Sequence, residues 1–381
     1  MATINQYKTK SGLARWEAFS MAGKDDDGNY KRMHKRGFKT KKEAQLWTSN
    51  LQVSLDKQGF VATNDVTFEE LYNRWFEDYK QGVKESTWAK TEDIFRLHII
   101  PVLGSKKIKR LTVPQCQKVV HDWFKAGFKH YRRFRSSAST VFDYGIRMEL
   151  ISRNPMAKTS IPKRKDIDDA PAFDFYEKAE LTKFLNSAYL YDDMEPFTFF
   201  RLLSYTGMRK GEALALRWSD LNFDTNEISI SRTESKGKDG RLLIQTPKTK
   251  TSRRTIVVDK KTMHWLRKWK VSQATFYLEQ GYNVHGAKQL VFSNEYNQLL
   301  QPSVPDHWNR SICKAYGLRR IKIHAFRHTF CSLAFAGGAE LVAVSKMLGH
   351  ANLNITQQVY LHVTKQQKAD VAEKLDQFMS I

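Results

Sequence analysis

The sequence predicts a multidomain protein that is mainly α-helical and carries small β-sheets. Its 381 residues are enough for two or three domains that each bury a core. Apolar residues recur at helical spacing through most of the chain, and short alternating runs interrupt them in two places. Polar or proline-containing links separate three blocks of different composition. The fold class is therefore an α+β N-terminal domain, an all-α domain and an α-rich domain with an inserted sheet.

Residues 1–62 are predicted to form the α+β domain. Arg15–Ser20 alternates between polar and apolar side chains, and a basic run covers Lys31–Phe38, which is typical of antiparallel strands. Thr40 and Glu43 have the spacing of a capping box that opens a helix. Basic strands of this kind fit a DNA groove, and a solubilising module is the alternative. The expected DNA contacts here are Lys31, Arg32, Lys35 and Arg36.

Residues 66–160 are predicted to be all-α. Phe68, Leu71, Tyr72 and Trp75 lie on one face at three- and four-residue spacing, and later stretches repeat this pattern. Charge runs on helices are usually solvated, but two basic clusters occur here, and one alternates with aromatic residues. Together they favour contact with a phosphate backbone. The cations of the two clusters are Lys106, Lys107, Lys109, Arg110, Arg132, Arg133 and Arg135.

Residues 172–381 are predicted to form the α-rich domain, after a charged, proline-containing linker. Short runs with strand character are predicted to form the inserted sheet. These runs are Glu227–Ile230, Leu242–Gln245 and Arg254–Val258. Longer segments with helical periodicity surround them. The helical segments are Glu180–Ala188, Phe197–Tyr205, Gly211–Leu216, Met263–Tyr277 and Ala325–Ala336.

The composition narrows the class of partner. The formal charge is +23, from 63 Lys and Arg against 40 Asp and Glu, which favours nucleic acid over an anionic membrane surface. The three cysteines are far apart without CxxC spacing, which indicates a reducing compartment and no thiolate metal site. There is no signal-peptide pattern and no apolar run long enough to span a bilayer. We expect a soluble cytoplasmic protein whose partner is nucleic acid.

Cationic and protonatable residues follow one another through the third block. Arg209 stands between two glycines that let backbone approach a ligand. Lys248 lies between two predicted strands, and Lys250 is a nearby competitor. His324 and Arg327 are three positions apart, which places them on one face of a helix. Each residue alone has an ordinary explanation as a turn, a hairpin or a polar helix face.

A histidine and a late tyrosine complete the series. His350 follows a glycine that ends a predicted helix, and Tyr360 comes ten residues later. No Walker-type phosphate loop or compact acidic cluster for two magnesium ions is visible. A zinc pair at His324 and His328 lacks the acid of HExxH. We therefore predict phosphoryl transfer on a nucleic-acid backbone without metal, ATP or cofactor, since cationic side chains can neutralise its transition state.

The complete series resembles the tyrosine recombinase family, in particular the integrases of phages and of integrative conjugative elements. Four sequence boxes carry the resemblance and occur in the family's order. They are Thr206-Gly207-Met208-Arg209 with Glu212, Pro247-Lys248-Thr249, His324-x-x-Arg327-His328-Thr329, and Leu348-Gly349-His350 with Tyr360. Phe326 stands where the family usually has leucine. The two upstream blocks resemble the family's arm-binding and core-binding domains by length, charge and pattern.

The resemblance implies a mechanism. Tyr360 attacks the scissile phosphate and forms a 3′-phosphotyrosine with a free 5′-hydroxyl. Arg209 and Arg327 hold the non-bridging oxygens, and Lys248 protonates the 5′ leaving oxygen. His324 accepts the tyrosine proton or binds the phosphate. His350 adds a hydrogen bond, and Glu212 braces the site.

The resemblance also implies partners. Residues 1–62 would bind arm-type DNA, 66–160 the core site, and 172–381 would catalyse integration and excision of a mobile element or phage genome. Strand exchange between two duplexes needs four cleavages, which implies a homotetramer on double-stranded DNA. A predicted helix at Gln366–Phe378 is expected to serve its assembly. A directionality factor and a DNA-bending protein are further candidate partners.

Three other classes stay open on the sequence alone. A type IB topoisomerase-like enzyme shares the chemistry and acts as a monomeric clamp, although the arm-like N-terminal block argues against it. A catalytically silent DNA-binding regulator would be favoured by a damaged set of site residues, and none is missing here. A metal-dependent nuclease would require divalent ions.

Overall fold

The computed structural model describes residues 2–9, 12–24, 30–58, 66–162, 174–191, 194–247, 250–284, 286–349, 357 and 359–361. The chain divides into two compact units. The first unit consists of Met1–Phe76 and Phe95–Ile161, and the second of Glu77–Ile94 and Pro162–Ile381. The segment 77–94 thus groups with the C-terminal unit, whereas the sequence places it inside the all-α block.

The first unit begins with an antiparallel three-stranded sheet and a helix, as the sequence predicts. The strands lie in the order β1-β2-β3, and the helix α1 packs on β2. The four elements are β1 Thr3–Lys8, β2 Ala14–Lys24, β3 Tyr30–Phe38 and α1 Lys41–Gln58. The predicted capping residues hold the start of α1. The Thr40 hydroxyl accepts from the Glu43 N–H (3.2 Å), and the Glu43 carboxylate accepts from the Lys39 N–H (2.8 Å) rather than from Thr40.

Helices make up the rest of the first unit and continue into the second. They are α2 Phe68–Gly82, α3 Glu85–Ile94, a π-helical turn Phe95–Ile99, α4 Ile100–Leu103, a 3₁₀ turn Ile108–Arg110, α5 Val113–Lys125 and α6 Tyr131–Arg147. In the first unit Phe68, Phe95 and Phe142 are fully buried. Tyr131 and Phe134 are also buried. The aromatic residues that alternate with arginines at the start of α6 therefore belong to the core and not to a nucleic-acid surface.

The second unit is α-rich and carries two small sheets. Its further elements are α7 Lys178–Leu190, α8 Met194–Thr206, α9 Lys210–Leu214, β4 Leu221–Asn222, β5 Glu227–Ile230, β6 Thr233–Lys236, β7 Leu242–Gln245, β8 Arg254–Val257, α10 Lys260–Glu279, α11 Val304–Ala315, α12 Ala325–Ala336 and α13 Leu341–Leu348. One sheet has the order β4-β5-β8, and β6 pairs with β7 in a separate hairpin. The predicted mainly helical fold with inserted strands is confirmed. None of the helices in the described ranges is long and apolar enough to cross a membrane.

Phe326 lies in the centre of the second unit's core. It is fully buried, and its ring centroid lies 5.2 Å from that of Phe184 and 5.1 Å from that of Phe200. Tyr176 packs against it edge to face at 5.7 Å. The larger side chain that replaces the usual leucine is thus accommodated by an aromatic cluster on the helix that carries Arg327.

Glu234 is a buried carboxyl group on β6. Its exposed fraction is 6%, and neither carboxyl oxygen has a hydrogen-bond partner among the residues described. Burial raises the pKa of Glu234 to about 7, against the opposing charges of Lys210 and Lys236. A raised pKa means that the folded chain holds this proton more tightly than the unfolded chain does. The resulting stabilisation is present below the unfolded-state pKa of about 4.5 and is lost as the pH rises through 7.

Glu234→Gln is therefore expected to stabilise the protein at pH 8 and not at pH 4.5. The amide stays neutral, so the variant avoids a charge burial that costs up to roughly 3 kcal/mol in the parent. Urea unfolding of parent and variant at both pH values measures the difference. An equal difference at pH 4.5 and pH 8 would contradict the buried-charge explanation.

Candidate active site

Arg209 immediately precedes α9 and is held by Glu212. The backbone N–H of Arg209 donates to Glu212 Oε2 (3.0 Å), and Arg209 Nη1 donates to Glu212 Oε1 (2.7 Å). Glu212 is 2% exposed, whereas the Arg209 side chain is 37% exposed. The carboxylate therefore fixes the guanidinium from the protein side and leaves part of it accessible to a ligand.

The two glycines beside Arg209 serve packing within the protein. A Cβ on Gly207 would come within 2.5 Å of Leu348 and 2.6 Å of Phe330, and its φ of +63° disfavours other residues. A Cβ on Gly211 would come within 2.6 Å of the Glu234 carbonyl oxygen. The space at both glycines is thus filled by neighbouring chain, which differs from the backbone approach to a ligand that the sequence suggested.

Arg254 is a buried partner of Glu212 that sequence reasoning missed. Its Nη2 lies 3.0 Å from Glu212 Oε2, and its Nε donates to the Met347 carbonyl (2.6 Å). Burial acts to raise the pKa of Glu212, but the hydrogen bonds and charges of Arg254 and Arg209 outweigh it and hold that pKa below its usual range. Glu212 is therefore an ionised brace that connects the start of α9 with β8 and, through Arg254, with the end of α13.

Arg254→Met is expected to lower the free energy of unfolding by about 3–5 kcal/mol, because it leaves a buried carboxylate short of a partner. The companion variant Glu212→Gln removes that charge, so the double variant should lose less than the sum of the two single losses. Urea unfolding followed by tryptophan fluorescence measures all three.

Arg253→Met is the matched control for this prediction. Arg253 is the neighbouring residue and is exposed, so its replacement should shift the free energy of unfolding by less than roughly 0.5 kcal/mol. Additive losses for Arg254→Met and Glu212→Gln would show that the two side chains do not act as a pair.

Arg327 connects the segments that carry two other predicted site residues. It is 3% exposed. Its Nη1 donates to the Gly207 carbonyl (2.8 Å) and its Nη2 to the Leu348 carbonyl (2.7 Å). Burial is the main cause that lowers the pKa of Arg327, followed by the charge of Arg209. The guanidinium thus joins the loop before α9 to the end of α13, and it lies close enough to Arg209 for their charges to repel.

His324 belongs to the same cluster of charges. It occupies the N-cap position of α12 without a capping hydrogen bond from its side chain, and its ring lies edge to face with that of His328 at 5.3 Å. Loss of hydration and then the charges of His328, Arg327 and Arg209 lower the pKa of His324 to about 4. A neutral imidazole at pH 7 can accept a proton. The structure therefore brings together Arg209, Glu212, His324 and Arg327.

Tyr360 lies against the same helix. Val359, Tyr360 and Leu361 are helical, and Tyr360 is 37% exposed. Its ring packs edge to face on that of Phe335 of α12 with a centroid distance of 5.1 Å. The preceding residue, Val359, is buried in a small cluster with Phe335 and Leu348. Val359 and Tyr360 are thereby packed on α12, and Tyr360 stays partly exposed.

Two predicted catalytic residues, Lys248 and His350, lie outside the described residues, as does the tail 366–378. The residues immediately before Lys248 and His350 are described. Pro247 ends the segment after β7, and Gly349 follows α13 with a φ of +67°. Arg327 and Arg254 bind the carbonyls of the two residues before Gly349. The roles of Lys248 and His350 thus stay predictions.

The predicted DNA contacts of the N-terminal sheet lie on β3. Arg32, Lys35 and Arg36 are exposed, and Lys31 is on the same strand. Arg36 Nε pairs with Glu17 (2.8 Å) and its guanidinium lies over the Tyr7 ring at 4.4 Å. The Lys35 ammonium lies 5.6 Å from the Phe38 ring centroid. Arg32, Lys35 and Arg36 are therefore exposed on the sheet, although Glu17 neutralises the charge of Arg36.

The predicted contacts of the helical block divide into exposed and engaged cations. Arg135 is engaged, since its guanidinium donates to the Ala157 carbonyl (2.5 Å) and the Thr159 hydroxyl (3.1 Å). Lys107 is half-buried, and its backbone forms an isolated antiparallel β-bridge with Thr67. The exposed cations are Lys106, Lys109, Arg110, Arg132 and Arg133. The Arg135 side chain and the Lys107 backbone thus stabilise turns of the first unit.

Three family models match the chain. The model of the phage integrase family covers residues 174–367, which is about half of the chain. The model described as the phage integrase N-terminal SAM-like domain covers 67–124, and an arm DNA-binding domain model covers 5–55. The matches follow the chain in the order of the three composition blocks.

Similar proteins match over most of their length. A XerC-like tyrosine recombinase of Caldanaerobacter subterraneus subsp. tengcongensis is 27% identical over 99% of both chains. The ICEBs1 integrase of Bacillus subtilis is 26% identical over 89% of this chain and 91% of its own. Among solved structures, the Tn1549 transposon integrase in complex with transposon right end DNA superposes with a TM-score of 0.64 at 20% identity. It covers 83% of this chain and 100% of its own, which establishes a shared fold.

Proposed function

The chain belongs to the phage integrase family of tyrosine recombinases, and from this premise we propose that it cuts and rejoins DNA at specific sites through a 3′-phosphotyrosine at Tyr360. The reaction integrates and excises a mobile element or phage genome. The observation that carries this proposal is the position of Arg327. It lies beside Arg209 and fastens the loop before α9 to the chain that leads to His350. Cations fixed in this way can stabilise the negative charge that develops on a phosphate in the transition state.

The chemical step follows from the side chains. The Tyr360 oxygen attacks the scissile phosphorus, and the bond from phosphorus to the 5′ oxygen breaks. Arg209 and Arg327 donate to the non-bridging oxygens, for which forked donors are suited. The new phosphotyrosine bond retains the energy of the broken one, so that religation by a 5′-hydroxyl needs no ATP.

Two proton transfers accompany this exchange. His324 is neutral at pH 7 because its pKa is lowered, so its ring can accept the phenolic proton of Tyr360 or donate a hydrogen bond to the phosphate. Lys248 supplies a proton to the departing 5′ oxygen, and Lys250 is the alternative donor. His350 contributes a hydrogen bond to the phosphate. Glu212 takes no part in the proton transfers, since Arg209 and Arg254 keep it ionised as a brace.

A covalent complex with DNA formed in the presence of EDTA tests the proposed function. A double-stranded core site with a nick beside the scissile phosphate should trap the protein, since the short 5′-hydroxyl strand diffuses away. An adduct that resists denaturation and EDTA supports metal-free tyrosine chemistry. Cleavage that requires divalent ions, or binding without an adduct, would instead support a nuclease or a silent regulator.

We assign three roles to the three blocks of the chain. Residues 1–62 contact arm-type DNA through the cations of β3, residues 66–160 contact the core site, and 172–381 carry out the chemistry. The exposed cations of the first unit and the net charge of +23 are suited to phosphate contacts. The proposed substrate places the protein on DNA in the bacterial cytoplasm.

A truncated chain that begins at Asp65 is expected to cleave an isolated core site as the full chain does and to lose recombination of complete attachment sites. All predicted catalytic residues lie beyond position 200, whereas the N-terminal sheet displays its own cations. Covalent trapping and a two-site recombination assay measure the two activities. Loss of all trapping by the truncated chain would contradict the modular assignment.

The active assembly is proposed to be a homotetramer on two paired sites, because an exchange of both strands of two duplexes requires four cleavages. A topoisomerase-like monomer would relax supercoiled DNA and would not join two sites. The recombination assay therefore separates these functions. A directionality factor and a DNA-bending protein would act on the same arm and core DNA.

A further inference from the structure

Lys84, the residue immediately before α3, binds the start of the predicted lysine loop, residues 246–253. Lys84 Nζ lies 2.5 Å from the Thr246 carbonyl oxygen, 2.7 Å from the Thr246 hydroxyl and 3.0 Å from the Pro247 carbonyl oxygen. An ammonium group has three N–H donors, and three acceptors of the protein surround this one. Its hydrogen bonds are therefore directed to the chain immediately before Lys248.

The neighbouring residue Glu85 binds the opposite end of the β6–β7 hairpin. Both carboxylate oxygens accept from Arg241 Nη2 at 3.0 Å, and Oε1 accepts from the Lys238 N–H at 3.1 Å. The hydrogen bond from Arg241 is the largest cause that lowers the pKa of Glu85. A Cβ on Gly237 would come within 2.4 Å of Glu85 Oε1. The glycine thus allows the close approach of the carboxylate to the hairpin turn.

A third contact lies between these two. Ser86 is buried, and its hydroxyl donates to Gln245 Oε1 (2.8 Å) near the end of β7. Gln245 Oε1 also accepts from the Ser235 hydroxyl of β6 (3.2 Å). Three consecutive residues, Lys84 before α3 and Glu85 and Ser86 in its first turn, therefore hold the hairpin at the exit toward the lysine loop, at its turn and on β7. The separation of roughly 160 positions in sequence means that only the folded chain brings them together.

We propose that Lys84 is a positioning residue for leaving-group protonation, which holds the lysine loop where its catalytic lysine reaches the 5′ oxygen. This inference rests on the proposed function, because it requires Lys248 or Lys250 to be the general acid. A lysine side chain is long and flexible, so the placement of its backbone decides whether the ammonium meets the leaving oxygen. Displacement of a catalytic group by about 1 Å can cost roughly 100-fold in rate.

The test compares an ordinary scissile phosphate with one that carries sulfur in the 5′ bridging position. A thiol has a pKa near 8.5, so a thiolate departs without a proton, whereas an alkoxide needs the general acid. Lys84→Met removes the ammonium and keeps most of the aliphatic stem. We expect it to slow trapping on the oxygen substrate by roughly 10- to 100-fold and to leave trapping on the sulfur substrate near the parent rate.

Matched variants define what the result means. Lys90→Met removes the same charge from an exposed position of the adjoining helix α3 and should leave the ratio of oxygen to sulfur rates unchanged. Lys248→Ala and Lys250→Ala identify the general acid, since only the true donor should show a larger loss that sulfur rescues. Thr246→Val removes one acceptor of Lys84 and should show the same pattern in weaker form, which keeps the test valid if Lys84→Met folds poorly.

The outcomes separate the inference from the function on which it rests. If one lysine variant is rescued by sulfur while Lys84→Met and Thr246→Val behave as the parent does, the positioning role is wrong and the mechanism stands. Equal slowing of both substrates by Lys84→Met would also overturn it, because a general defect of folding or binding gives that result. If neither lysine variant is rescued, the assignment of the general acid fails and the inference fails with it, while adduct formation still reports on Tyr360.

Discussion

Tyr360→Phe is expected to abolish covalent complex formation while it leaves folding and DNA binding intact. The substitution removes only the oxygen that attacks phosphorus. The ring can keep its edge-to-face contact with Phe335, and Val359 stays buried beside it. Trapping on a nicked core-site substrate, resolved on a denaturing gel, measures the effect, and gel shift and thermal unfolding measure the properties that should not change.

Tyr296→Phe is the matched control, since Tyr296 is an exposed tyrosine of the same unit and should trap DNA as the parent does. An added small nucleophile should partly restore strand cleavage to Tyr360→Phe, because the phosphate-binding cations are still in place. A phosphotyrosine adduct formed by Tyr360→Phe would move the nucleophile to another residue and require a new assignment of the whole site.

Arg327→Ala is expected to impair both cleavage and stability. Loss of a preorganised donor to the phosphate should slow trapping by at least roughly 100-fold, or about 3 kcal/mol. The same substitution leaves the carbonyls of Gly207 and Leu348 without their donor. Because each unsatisfied buried polar group costs about 1–3 kcal/mol, the free energy of unfolding should fall as well. Trapping rates and urea unfolding measure the two effects.

Two further variants separate the effects of Arg327. Arg310→Ala, at an exposed position of α11, controls for the loss of one positive charge and should change neither quantity appreciably. Arg327→Lys keeps the charge but lacks the forked donor that reaches two carbonyls, so it should still lose activity. An added nucleophile should not rescue either Arg327 variant. Normal trapping by Arg327→Ala would remove this residue from the site.

Motif order and helical periodicity predicted much of the site. Arg209, His324 and Arg327 were identified because their residue types follow one another at the spacing of a known family, and the structure places them in one cluster of charges. The strands Glu227–Ile230 and Leu242–Gln245 were also predicted with the bounds that the structure gives. In both cases the signal is local, since a box or an alternating run occupies only a few consecutive residues.

The missed features depend on distant partners. Arg254 is the second of two adjacent arginines, and nothing in Arg253-Arg254 indicates which of them is buried against Glu212. The strand β6, Thr233–Lys236, has no apolar alternation, because its buried residue is Glu234. The contacts of Lys84 with Thr246 and Pro247 join positions more than 160 residues apart. No local pattern reports such pairings, which are decided by tertiary packing.

The hydrogen bonds of Arg327 and Arg254 to the end of α13 all go to backbone carbonyls, those of Leu348 and Met347. A carbonyl oxygen is the same in every amino acid, so the identities of residues 347 and 348 can drift among residues of suitable size without loss of either bond. The two arginines have no such freedom. In a saturation mutagenesis survey scored by recombination, we expect an asymmetric map, in which the acceptor positions tolerate apolar residues of similar size and the donor positions tolerate almost no replacement. The donor positions 254 and 327, which are far apart in sequence, should then both be intolerant, while the acceptor positions 347 and 348, which follow them, accept other residues of suitable size.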